Sequence, residues 1–183
     1  IQPEKILEAG EILRRKGTEG FLLTLITNPP EVTEACAAAA ARAIREQGRH
    51  GPVLGIHVEG PFISPEYGFR GAHPERWIRP ADAAWFQKLQ KLAEGNIRLL
   101  TVAPEQTGAA DLVRAVAPGV VVASGHTAGA YAPLRQAIEA GLSTVTHLGN
   151  GCRQQVDRHS NPVVNALACP ELSYSFIADG HHL

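Results

Sequence analysis

PVLGIHVEGP, residues 52–61, runs through apolar residues and ends on a carboxylate, Glu59, followed by a Gly-Pro pair. A strand covered by helices on both faces reads as such a continuous apolar run, whereas a half-exposed strand alternates. Five further runs have the same character: GFLLTLIT (20–27), IRLLTVAPE (97–105), VVVASGH (120–126), STVTHL (143–148) and LSYSFIAD (172–179). Helical segments separate them. PPEVTEACAAAAARAIREQG (29–48) carries prolines at its start and Gly48 past its end, the usual start and stop signals. PADAAWFQKLQKLAEG (80–95), AADLVRAVA (109–117), PLRQAIEAG (133–141) and NPVVNALA (161–168) fill the other intervals, and a helix bearing Ile6, Leu7, Ile12 and Leu13 on its apolar side precedes them all. Strands alternating with helices predict βαβ units and a parallel sheet. An open doubly wound sheet and a (β/α)8 barrel share this signature.

Both architectures gather the C-terminal ends of their strands on one rim, where residues far apart in sequence converge. Glu59, His126 and His147 each stand at the end of one of these runs. A buried carboxylate must find a partner or protonate, so Glu59 alone reads as a strand-end ion pair, and either histidine alone as a hydrogen-bonded core residue. Together the three make a divalent-metal shell. Carboxylate and neutral imidazole suit zinc, with iron, manganese or cobalt as the alternatives, and three protein ligands leave a fourth position open for water, the pattern of a catalytic site.

The remaining composition excludes other classes. The 183 residues carry 17 basic and 18 acidic side chains, evenly mixed, for a net charge of −1, which is no nucleic-acid footprint. The longest apolar stretches, such as GFLLTLI (20–26), fall far short of the roughly 20 residues that span a bilayer. Three cysteines, Cys36, Cys152 and Cys169, lack paired spacing and point to a reducing compartment, the cytoplasm. The chain contains no Met and begins inside a helical pattern, so an internal piece of a longer protein is expected. The stretch from Phe62 to Arg79 is long enough for a functional loop.

GIHVEGPFISPEYGFRGAH (55–73), APE (103–105), SGHT (124–127), THLGNG (146–151) and FIADGHHL (176–183), in this order, resemble the N-acetylglucosamine-6-phosphate deacetylases of the amidohydrolase superfamily. The resemblance runs from about Gly20 to the last residue. It implies a (β/α)8 barrel in which the six runs are strands 2 to 7. Residues 1–183 then form a partial catalytic barrel domain, with the first and last strands and a small β domain outside this chain. It implies metal-dependent hydrolysis of a linear amide, with Glu59, His126 and His147 as the metal ligands and a proton-shuttling Asp expected beyond residue 183. Ala72, His73, Asn150, Gly151, Arg158 and His182 match substrate-binding positions. Arg158 would reach the substrate phosphate, for which its guanidinium fork is suited, and could serve a neighbouring subunit's site, which implies a homodimer. A phosphorylated amino sugar is the expected partner, with neither nucleic acid nor membrane.

The chain departs from the family pattern at Gly149, where an aromatic residue is usual, and GNGCRQQVDRHSNP (149–162) resembles a divergent branch. Competing local readings are an ion pair of Arg158 with Asp157, a solvated His73, and Cys152 as a small filler. His57 reads as a neighbour of the site, and His50 and His181 as structural or surface residues. Another amidohydrolase, such as a related N-acyl sugar deacetylase, a cyclic-amide hydrolase or a deaminase, is the alternative function. A non-catalytic barrel that binds a sugar or a protein is the second.

Overall fold

The computed structural model describes residues 1–182. Helices and strands alternate as α1 (Pro3–Arg15), β1 (Phe21–Ile26), α2 (Pro30–Gln47), β2 (Val53–Glu59), α3 (Ala83–Leu92), β3 (Ile97–Val102), α4 (Ala109–Val116), β4 (Val121–Ser124), α5 (Tyr131–Glu139), β5 (Thr144–Val145), α6 (Pro162–Leu167) and β6 (Ser173–Tyr174). All six strands are parallel and lie in the order β1-β2-β3-β4-β5-β6. This order resolves the ambiguity left by the sequence. A doubly wound sheet reverses direction at a switch point, whereas here every strand pairs with its successor, the winding of a (β/α)8 barrel. No pairing closes β6 onto β1 among the described residues, so the sheet is an open part of a barrel.

The helices form because their termini and faces are specified locally. Asp82 caps α3 by accepting from Trp85 N at 2.9 Å, and Asn161 caps α6 by accepting from Val163 N and Val164 N. Their buried faces supply the core: Ile6 from α1, Leu89 from α3, Leu112 and Val113 from α4 and Leu134 from α5 pack on Ile56, Val58, Leu100 and Val122 of the strands. In α2, Ala37, Ala40, Ala41 and Ala43 are fully buried, and side chains this small bring the helix close to the sheet. Among the described residues, no helix is long and apolar enough to cross a membrane.

The opposite faces of the strands point to the barrel interior. Register places Thr24 beside His57, His57 beside Leu99, and Glu59 beside Thr101. One layer below the rim, Thr24 Oγ1 lies 3.2 Å from His57 Nδ1, Thr101 Oγ1 lies 2.7 Å from His57 Nε2, and the hydroxyls of Thr101 and Thr146 share a bond of 2.7 Å. This chain of hydrogen bonds links β1, β2 and β3 to the segment following β5. Above it the loops open outward, and the long connection after β2 contains one 3-10 turn, Glu75–Trp77.

Candidate metal centre

Glu59 is the last residue of β2, while His126 and His147 stand two residues beyond β4 and β5. Both histidines have left-handed backbone, φ 49° and 35°. For a residue with a side chain that conformation costs about 1–2 kcal/mol, and such strain concentrates where surrounding structure holds a functional group. The three residues predicted from strand ends come together, two imidazoles on the Glu59 carboxylate. His147 Nε2 lies 2.9 Å from Glu59 Oε1 and His126 Nε2 lies 3.4 Å from the same oxygen.

A fourth side chain joins them. His73, in the loop after β2, places Nε2 3.7 Å from Glu59 Oε2 and is fully enclosed, which excludes the solvated reading. The imidazoles stand edge to face, with centroids 4.4 Å apart for His73 and His126 and 4.9 Å apart for His126 and His147. By proximity of their ligand atoms, Glu59, His73 and His126 form a group that could hold a metal ion.

The hydrogen bonds on the far ring nitrogens separate the roles. His126 Nδ1–H donates to Phe69 O at 2.9 Å, which leaves a lone pair on Nε2 facing Glu59. His73 Nδ1 accepts from Thr27 N at 3.3 Å, with Thr27 Oγ1 2.8 Å away, so its proton sits on Nε2. A protonated Nε2 donates; it does not ligate. His147 Nδ1 is buried with no hydrogen-bond partner. His147 Nε2 is the atom on Glu59, and the Glu59 carboxylate with the Nε2 atoms of His126 and His147 is a donor set that fits a divalent cation.

The electrostatics agree. Burial by itself would raise the pKa of Glu59, but the imidazoles of His126, His147 and His73 around it outweigh that and hold the carboxyl far below its usual range. Burial would likewise lower His147, yet its bond to Glu59 and the attraction of that charge raise it. A proton on His147 therefore stands in for positive charge that the cluster attracts, and a bound cation would displace it. His57, by contrast, is pushed down to about 4, chiefly by burial, and stays neutral.

Two glycines that spacing alone did not single out as a pair make room for His126. A Cβ on Gly71 would lie 3.0 Å from His126 Cε1, and one on Gly151 would lie 2.8 Å from Nδ1; both positions are left-handed, φ 55° and 62°. Of the other expected substrate positions, Ala72 is exposed beside His73, and Asn150 donates its backbone N–H to His147 O at 2.9 Å. Arg158 is exposed, and Asp157 spends its carboxylate on the backbone N–H groups of His159 and Ser160, both at 2.8 Å, in place of the ion pair considered above. His182 is exposed and holds Asp179 at 2.8 Å, with no hydrogen bond to the Glu59 cluster among the described residues; Leu183, the last residue of its motif, lies outside the described residues. Cys152 donates to Gly149 O at 3.3 Å and burial raises its thiol pKa, which suits a filler. Tyr67, Gly68, Gly71, Cys152, Arg153, Gln154 and Gln155 line a groove of about 770 Å³ beside the cluster.

No family model matches the chain. The N-acetylglucosamine-6-phosphate deacetylase of Bacillus subtilis (strain 168) is 38% identical over 174 residues, covering 93% of this chain and 43% of that protein. The N-acetylgalactosamine-6-phosphate deacetylase of Shewanella sp. (strain ANA-3) is 36% identical over 171 residues, with 93% and 42% covered. A mutant N-acetyl-D-glucosamine-6-phosphate deacetylase from Mycobacterium smegmatis, solved in complex with N-acetyl-D-glucosamine-6-phosphate, superposes with a TM-score of 0.82 at 33% identity, covering 91% of this chain and 42% of that one. The resemblance read from the motifs and the barrel fold are thus both borne out. The chain spans 43% and 42% of the length of these two curated relatives.

Proposed function

We propose that the protein carrying this chain hydrolyses the acetamide of an N-acetylated amino sugar 6-phosphate, N-acetylglucosamine 6-phosphate first, to the free amine and acetate. The observation that carries this reading is the convergence of three imidazoles on Glu59 at the C-terminal rim of a parallel sheet, at 2.9, 3.4 and 3.7 Å. Glu59, His126 and His147 would hold a divalent ion, zinc in the first instance. Such an ion, when bound, polarises an amide carbonyl and brings the pKa of water towards neutrality.

The chain's own residues supply the rest. His73, protonated on Nε2 and locked by Thr27, can donate to the carbonyl or to a sugar hydroxyl. Asn150, Gly151 and Ala72 offer polar groups to the hexose, Arg158 offers charge to the phosphate, and His182 offers a ring nitrogen to the substrate. The names of the relatives divide between N-acetylglucosamine and N-acetylgalactosamine phosphates, so the epimer at C4 is the variable to test. A homodimer sharing Arg158 and a cytoplasmic location belong to the same reading.

The test is metal content measured together with acetate release from N-acetylglucosamine 6-phosphate, its galactosamine epimer and the unphosphorylated sugar. Stoichiometric metal with phosphate-dependent turnover is expected. Metal without turnover on any of the three would move the protein to another amide, and an intact protein that takes up no divalent ion would remove the basis of the proposal.

A further inference from the structure

His126 has a geometry that demands support from its surroundings. It combines left-handed backbone with a ring that must face Glu59, and several groups hold it. Ser64 N donates to its carbonyl at 2.8 Å, and its Nδ1–H is fixed on Phe69 O. The chain immediately after it is clamped by one carboxylate on the neighbouring strand segment. Glu105, three residues past the end of β3, accepts from Thr127 Oγ1 at 2.5 Å through Oε2 and from Ala128 N at 2.7 Å through Oε1. Thr127 Oγ1 in turn accepts from Gly129 N at 3.0 Å, and the Asn165 amide donates to the Gly129 carbonyl. Both oxygens of Glu105 are thus committed to the two residues that follow His126, and the Thr127 side chain that relays the contact is buried.

We propose that Glu105 is a positioning residue of the metal centre: its bidentate grip on Thr127 and Ala128 fixes the turn that keeps His126 left-handed and its Nε2 on Glu59. The inference rests on the proposed metal-binding role of His126. Glu105 touches neither Glu59 nor the other imidazoles by hydrogen bond among the described residues, so its influence is transmitted through the backbone. Partners one step removed from a ligand act in this way, and losing one weakens metal affinity by roughly ten- to a hundredfold.

The experiment uses the intact protein and zinc alone, with affinity read by competition against a chromophoric chelator. Glu105→Ala is expected to bind zinc roughly ten- to a hundredfold more weakly, Glu105→Gln to fall between it and the wild type because one acceptor oxygen survives, and Thr127→Val to follow Glu105→Gln. Leu89→Ala, a core change in α3 far from the rim, serves as a control for stability and is expected to lower the melting temperature without moving zinc affinity. Where Glu105→Ala fails to fold, Glu105→Gln and Thr127→Val decide. Unchanged zinc affinity in the folded variants would overturn the proposal, as would a metal-free crystal structure of the variant with His126 still left-handed and its ring in place. A wild type that binds zinc but releases no acetate would sink the deacetylase reading while leaving this one standing.

Discussion

Two layers of the barrel interior, two residues apart along β2, treat histidine in opposite ways. In the lower layer His57 is flanked by the hydroxyls of Thr24 and Thr101, every ring nitrogen has a partner, and burial keeps the ring neutral. In the upper layer His126 and His147 crowd a carboxylate, both with left-handed backbone, and His147 keeps an unpartnered nitrogen. The lower network is complete within the chain and can only stabilise the fold. The upper one is charged, strained and incomplete, which is the condition of a site that takes a ligand from outside.

Substitutions should split along the same line. Glu59→Gln keeps the shape but removes the charge shared by three imidazoles. It should abolish metal retention and cut deacetylation by about a thousandfold, the equivalent of some 4 kcal/mol of transition-state stabilisation; elemental analysis with turnover checks it, and near-normal values for both would refute the metal assignment.

pH sharpens the contrast in the metal-free protein. His57 has a depressed folded pKa, so the unfolded chain takes up its proton first as pH falls below about 6.5, and stability drains away until the folded ring also titrates near 4. The stability gap between wild type and His57→Leu should therefore narrow by up to about 3 kcal/mol from pH 6.5 to pH 4. His147 runs the other way, its raised pKa giving stability that is complete below the unfolded value and lost as pH rises. Glu59, depressed, contributes fully above the ordinary carboxylate range and loses it only in stronger acid. Denaturant titrations of both proteins across this range measure the gap, and a constant gap would contradict a neutral His57.

At neutral pH, His57→Leu leaves Thr24 and Thr101 each short of one partner and should cost about 1–3 kcal/mol, lowering the melting temperature while zinc stays bound. Loss of zinc at an unchanged melting temperature would reverse the assignment of the two layers. The smallest effect is expected at Gly71→Ala, where the left-handed backbone costs about 1 kcal/mol and the added methyl presses on His126. A variant that loses about that much stability and some zinc affinity fits; one as tight-binding as wild type would show that the rim yields.

The difference between the layers also marks what a sequence reader can see. Glu59, His126 and His147 were legible because ligand-type residues end apolar runs, and strand ends share a rim in any parallel sheet. The (β/α) alternation was legible from run length and helix punctuation. Strand order was not, since each pairing is chosen by tertiary contact and a barrel and a doubly wound sheet use the same local signals. Thr24, Thr101 and Thr146 look like ordinary strand residues, and their network exists only through cross-strand register. His73 reads as a loop residue because nothing local announces that Thr27, on another strand's loop, encloses it. Glu105 was visible within the APE motif, but not its grip on Thr127.

The strand order has a kinetic side as well. Because every strand pairs with the one just before it in the chain, the sheet can grow one βα unit at a time in the order of synthesis, each addition closing one βα unit rather than a loop across the whole chain. The site cannot keep that pace. Glu59 is laid down in the second strand, and its nearest imidazole, His147, lies 88 residues later. During the interval only His73, from the loop after β2, and then His126 can approach Glu59, so the rim is completed last, on a scaffold that already stands.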